Sequence, residues 1–140
     1  MLTFTSVIRP RYADTDQMKF VYYGKYFEYF EQARSELLRA VGLPYAEIES
    51  HGILIPVIEA HAEYKRPARY DEPIEIVTTM AEKPVARIRL EYRVTDQATG
   101  ELIATGYTTH GFLNASTNKP TRAPAFFVQS VEDAMRGSGS

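Results

Sequence analysis

The chain has 140 residues, 44% of them hydrophobic and 24% charged, with a net charge of −2 and no cysteine. Length and composition suit one domain with a packed core, and the charge speaks against a nucleic-acid binder or a polybasic membrane anchor. The lack of cysteine excludes disulfides, thiolate metal sites and a cysteine nucleophile, and it is compatible with a cytoplasmic location.

Leu2 to Arg11 alternates loosely and is rich in Thr, Val, Ile and Phe, which predicts a strand. Residues 12–23 form an irregular, tyrosine-rich connection. From about Gly24 to Val41 the period changes. Phe27, Phe30, Arg34, Leu37, Leu38 and Val41 recur at three- and four-residue steps, with Glu28, Gln32, Ser35 and Arg39 opposite. Gly42 and Pro44 close this helix, which would be about 27 Å long at 1.5 Å per residue. Four strands follow: 53–65, 74–81, 85–95 and 101–113. The first sets Ile58, Ala60, Ala62 and Tyr64 against Glu59, His61, Glu63 and Lys65. The third alternates most cleanly, and Asp96 to Gly100 makes a hairpin turn after it. A short helix over about 124–135 ends a single domain of residues 1–136, and residues 137–140 read as a flexible tail. No apolar run approaches the roughly 18 residues of a membrane span, and no signal peptide is expected.

Strand, helix and four closely linked strands predict an antiparallel, two-layer α+β domain. One helix cannot cover five strands this long, so the exposed edges and outer sheet face predict a homo-oligomer, either dimer or tetramer.

The run Asp14-Thr15-Asp16-Gln17 puts a carboxylate just before the helix start, where free N–H groups and a positive dipole end converge. A carboxylate there can act as base or nucleophile, and the Tyr23 and Gly24 amides can polarise a carbonyl. Spacing alone leaves open whether Asp14 or Asp16 merely caps a turn, and every helix has such amides. Tyr22, Tyr23 and Tyr26 can line a pocket or pack as core. His51, His61 and His110 show no zinc spacing, and no metal is expected. No G-x-S-x-G, P-loop or G-x-G-x-x-G is present. Lys65, Arg66 and Arg69, with Lys119 and Arg122, can meet phosphates or simply form a solvated surface.

The run from Tyr12 to Arg34, YADTDQM…VYYGKYFEYFEQAR, resembles the signature of the 4-hydroxybenzoyl-CoA thioesterase-like hotdog family. Tyr64 to Pro73, YKRPARYDEP, is similar to that family's second-strand exit, and together the likeness covers about residues 3–124. The resemblance implies a hotdog fold, a long central helix wrapped by a five-stranded antiparallel sheet. It implies a dimer, often paired into a tetramer, that hydrolyses acyl-CoA at the subunit interface without a cofactor. Asp16 takes the place of the catalytic aspartate, and Tyr23 the helix-start position whose amide polarises the thioester. Ile58, Glu59 and Ala60 fall where substrate contacts cross the dimer, and Lys65 and Arg66 fall near the phosphates. Two positions depart from the pattern. Lys19 stands where many members have Gly, and it would reshape the pocket mouth or draw in an anionic group. Tyr23 stands where many bacterial members have His.

The expected function is hydrolysis of an acyl-CoA or acyl-carrier-protein thioester. The alternatives are a hotdog module that binds acyl thioesters without turnover and a hotdog dehydratase. The latter lacks its histidine, since none lies between residues 12 and 50. Neither nucleic acid nor membrane is expected as a partner.

Overall fold

A computed structural model describes residues 1–137. Strand β1 (Leu2–Ile8) leads through a 3-10 turn (Tyr12–Asp14) to helix α1 (Lys25–Ala40) and the short α2 (Tyr45–Ser50). Then come β2 (Ile53–Leu54), β3 (Val57–Tyr64), β4 (Ile74–Met80), β5 (Ile88–Asp96), β6 (Leu102–His110), β7 (Phe112–Asn114), β8 (Lys119–Thr121) and α3 (Ala125–Gly137). The main sheet is antiparallel throughout, in the order β1-β4-β5-β6-β3. A smaller sheet, β2-β7-β8, is packed by α3, where Phe127 meets Phe112 edge-on at 5.2 Å.

The α+β architecture with five antiparallel strands is as expected, but several boundaries differ. β1 stops at Ile8, since Pro10 lacks a donor for the ladder. The expected strand over 53–65 is two strands broken before Pro56, and its first piece pairs with β7 in the other sheet. The expected strand over 101–113 divides at Gly111 into β6 and β7, and the one over 85–95 begins only at Ile88. Helix α2 and β8 had no sequence signal. Gly137, assigned to the tail, ends α3, while residues 138–140 lie outside the described residues.

Helix α1 has 16 residues rather than 18, about 24 Å. It is shorter than the long central helix expected. Its buried face, Phe30, Ala33, Leu37 and Leu38, packs with Ile76, Leu90 and Val94 of β4 and β5. Phe30 stacks on Tyr92 at 4.3 Å. A Cβ at Gly106 would come within 2.7 Å of the Phe30 ring and 2.5 Å of the His61 carbonyl oxygen, so β6 needs glycine there. Along β5 the phase is strict: Ile88, Leu90, Tyr92 and Val94 point in, and Arg89, Glu91 and Arg93 point out. β3 differs. It is an edge strand, largely exposed on both faces, with Val57 51% and Ile58 49% accessible. No described helix is long and apolar enough to cross a membrane.

Candidate active site

The segment between β1 and α1 folds back on itself in a tight turn. The Asp16 amide donates to the Phe20 carbonyl at 2.9 Å, and the Lys19 amide donates to the Asp16 carbonyl at 3.0 Å. Asp16 Oδ1 accepts the Met18 amide at 2.8 Å and the Phe20 amide at 3.3 Å. Turn capping therefore occupies one carboxylate oxygen and leaves the other outside that bonding. Lys19 closes the turn with φ 66°, in the left-handed region that favours glycine. Glycine takes this conformation without strain, which fits the glycine that the resemblance leads one to expect there. The Lys19 side chain is exposed and does not line the cavity described below.

Asp14 has a different environment. It is buried, and its Oδ2 accepts the Tyr29 hydroxyl at 2.8 Å and the Arg11 amide at 3.1 Å. Arg11 and Lys25 approach its other oxygen at 3.3 and 3.9 Å. Burial pushes the Asp14 carboxyl up, but the hydrogen bonds from the Arg11 amide, Tyr29 and the Arg11 side chain outweigh it and hold it below the usual carboxylate range. Its backbone carbonyl accepts the Tyr22 amide at 3.0 Å, and the Ala68 carbonyl accepts that of Val21 at 2.9 Å. These bonds anchor the chain where it enters α1.

At the helix start the Lys25 and Tyr26 amides donate to the carbonyls of Tyr22 and Tyr23 at 2.9 and 3.2 Å. The amides of Tyr23 and Gly24 take no part in the bonds of this turn and cap, and no side chain caps the helix. Beside them lies a cavity of about 560 Å³, lined by Asp16, Met18, Phe20, Val21, Tyr22, Tyr23, Tyr26, Tyr64 and the Lys65-Arg66-Pro67 run. Its wall is aromatic. Tyr64 lies 4.8 Å from Tyr23 and 5.1 Å from Tyr26, ring to ring. Burial, and then the neighbouring phenols of Tyr64 and Tyr23 against the Ala68 backbone bond, leave the Tyr26 hydroxyl pushed up to about 12, so it remains a protonated wall group.

Six residues expected at the site meet on this cavity: Asp16, Tyr22, Tyr23, Tyr26, Lys65 and Arg66. Lys65 and Arg66 are exposed at its rim, with Lys65 Nζ 3.1 Å from Glu63 and Arg66 3.9 Å from Glu101. Gly24 is at the helix N-cap, next to the lining. Within one protomer Ile58, Glu59 and Ala60 do not reach the cavity; they lie further along β3, where Glu59 accepts the Tyr107 hydroxyl at 3.0 Å. Lys119 and Arg122, at β8, are likewise absent from the lining. Sequence reading missed Met18, Phe20, Val21, Pro67 and above all Tyr64 as lining residues. The available signal for Tyr64 was its strand phase, shared with Ala62, Ala60 and Ile58.

The two-layer fold is matched by comparison with known proteins. The sequence model of the thioesterase-like superfamily covers residues 10–131, and the chain belongs to that superfamily, as an enzyme of the thioesterase class. The match is to the superfamily as a whole, and it does not single out the 4-hydroxybenzoyl-CoA branch. Among solved structures, a DHNA-CoA thioesterase from Staphylococcus aureus superposes with a TM-score of 0.87 at 30% identity, covering 100% of this chain and 97% of the other. A hypothetical protein from Thermus thermophilus gives a TM-score of 0.85 at 33% identity, over 93% and 98%. An acyl-CoA thioester hydrolase of Escherichia coli is 34% identical over 71 residues, 51% of this chain and 53% of that relative, so the match spans about half of its length.

Proposed function

We propose that this protein hydrolyses an acyl-CoA, or an acyl-carrier-protein thioester, to the free acid and thiol at the Asp16 cavity. The observation that carries the reading is the placement of the Asp16 carboxylate on the same aromatic-walled cavity as the start of α1. The thioester carbonyl would accept from the Tyr23 and Gly24 amides. Asp16, held in one orientation by the Met18 and Phe20 amides, takes a proton from water as it adds to that carbon; otherwise it attacks the carbon itself to give a mixed anhydride. The tetrahedral adduct then collapses, the C–S bond breaks and the thiolate leaves; on the covalent route this step forms the anhydride, which water then hydrolyses to the free acid and the Asp16 carboxylate. Lys65 and Arg66 at the rim suit the phosphates of a nucleotide-tailed carrier. Within the superfamily, the DTDQ run favours a 4-hydroxybenzoyl-CoA thioesterase-like member.

The two-sided exposure of β3 supports a dimer in which two copies pair along that edge and bring Ile58, Glu59 and Ala60 of one to the site of the other.

Asp16→Asn keeps an oxygen for the turn and removes the base. Thiol release from a panel of short, long and aromatic acyl-CoAs should fall by at least 100-fold in this variant; wild-type turnover would sink the assignment. Single-turnover hydrolysis in labelled water separates the two chemistries, since label enters the Asp16 carboxylate only after covalent attack.

A further inference from the structure

Tyr64 ends β3, an edge strand of the main sheet, and lies 41 positions along the chain from Tyr23 at the helix start that it touches. Its ring contacts Tyr23 and Tyr26, and its hydroxyl donates to the Tyr23 carbonyl oxygen at 3.2 Å. The same oxygen accepts the Tyr26 amide at 3.2 Å. The Tyr23 carbonyl and the Gly24 amide are opposite sides of one planar trans peptide. A carbonyl held toward the helix body therefore points the Gly24 N–H the other way, out of the helix start. A carbonyl that accepts two donors is also more polarised, and chains of hydrogen bonds strengthen one another by about 10–30% per bond. The Gly24 N–H becomes both better aimed and a better donor.

We propose that Tyr64 is a positioning residue of this site: its hydroxyl orients and polarises the Tyr23–Gly24 peptide so that the helix start can hold a thioester oxyanion. The inference rests on the hydrolase reading above and adds to it a role for a hydroxyl from the edge strand. Packing alone would be served by phenylalanine, and the carbonyl of Tyr23 is the partner of this hydroxyl. Burial, followed by the nearby Tyr23 phenol, raises the Tyr64 hydroxyl above the usual phenol range, so it is a donor at neutral pH.

Tyr64→Phe, which keeps the ring, tests the role. We expect kcat to fall about five-fold, with KM for acyl-CoA changed less than two-fold and the melting temperature within 2 °C of wild type, magnitudes set by the modest strengthening per bond acting on one oxyanion donor. A spectroscopic readout isolates the effect from packing. In Asp16→Asn protein loaded with a carbonyl-labelled thioester, the infrared carbonyl band should lie at lower frequency than in solution, and adding Tyr64→Phe should move it part of the way back. A kcat for Tyr64→Phe within 1.5-fold of wild type, or a loss carried by KM or by stability alone, would overturn the proposal. Undiminished turnover by Asp16→Asn would instead overturn the base reading, and the kcat of Tyr64→Phe would still decide the role of this hydroxyl.

Discussion

Two aspartates one residue apart do different work because their surroundings differ. Asp14 is enclosed by Arg11, Tyr29 and Lys25, and it ties the entering chain to α1. Asp16 is exposed, uses one carboxylate oxygen to close the turn and lines the cavity. Capping and catalysis, which spacing presents as competing explanations, are compatible in a group with two oxygens. The helix-start amides can be tested at Gly24, whose φ of −63° suits proline. Gly24→Pro deletes one N–H and should lower kcat by about 100-fold or more, the cost of an oxyanion donor. Gly24→Ala retains the N–H; its Cβ meets only the exposed Tyr22 ring, at 3.1 Å, and that ring can swing aside, so most activity should remain. Equal losses in the two variants, measured as steady-state thiol release, would dissociate the amide from the chemistry. How far such residues were legible varies. The Asp16 candidate followed from a carboxylate next to a helical period, but Tyr64 did not, because its partner Tyr23 lies 41 positions away and only the fold brings them together.

At the scale of elements, periodicity located α1 and β5 to within a few residues, because each presents one uninterrupted face to the core. It failed at β2, β3, β6 and β7. There a proline or glycine moves the chain from one sheet to the other while the side chains remain apolar, and the pattern alone does not register the change. The packing of α1 on β6 depends on the missing side chain at Gly106. Gly106→Ala should destabilise the fold by about 3 kcal/mol through overpacking of Phe30, readable as a lower urea midpoint with an unchanged slope.

A buried polar chain runs between the same two layers. Arg34 donates to Tyr45 at 2.9 Å and to Tyr92 at 3.3 Å, Tyr92 meets Thr108 at 2.7 Å, and Thr108 meets His110 at 2.8 Å. Burial first, and then the Arg34 charge, hold His110 down to about 4 from 6.5. The native state therefore favours neutral His110, whereas the unfolded chain takes up a proton between those two values. The contribution is complete above pH 6.5 and is lost as pH falls toward 4, by about 3 kcal/mol for a shift of this size. Urea unfolding at pH 7 and at pH 4.5 should show most of this loss in the wild type and a much flatter dependence in His110→Gln. The Asp14 contribution vanishes only at still lower pH, since its folded value is depressed below the ordinary carboxylate range.

For the whole molecule, the decisive feature is the edge. β1, β4, β5 and β6 bury one face under the helices, but β3 exposes Val57 and Ile58 by about half. In the proposed dimer this edge is where the second copy pairs and where the site is completed. Ile58→Lys should shift the protein to monomer in analytical ultracentrifugation and reduce acyl-CoA turnover in step; a stable, fully active monomer would refute the pairing.

The sequence by itself determined the α+β class, the main helix and the antiparallel neighbours implied by short connections, and it marked the Asp16-to-Tyr26 segment as the candidate site. These are properties of local period, turn chemistry and motif, which operate over a few neighbouring residues. The tertiary structure decided which aspartate is buried, which strands leave the main sheet and which side chains wall the cavity. It also decided that a tyrosine from the edge strand grips the peptide that leads into α1. Such contacts join residues far apart in the chain, and their geometry exists only once the helix lies on the sheet.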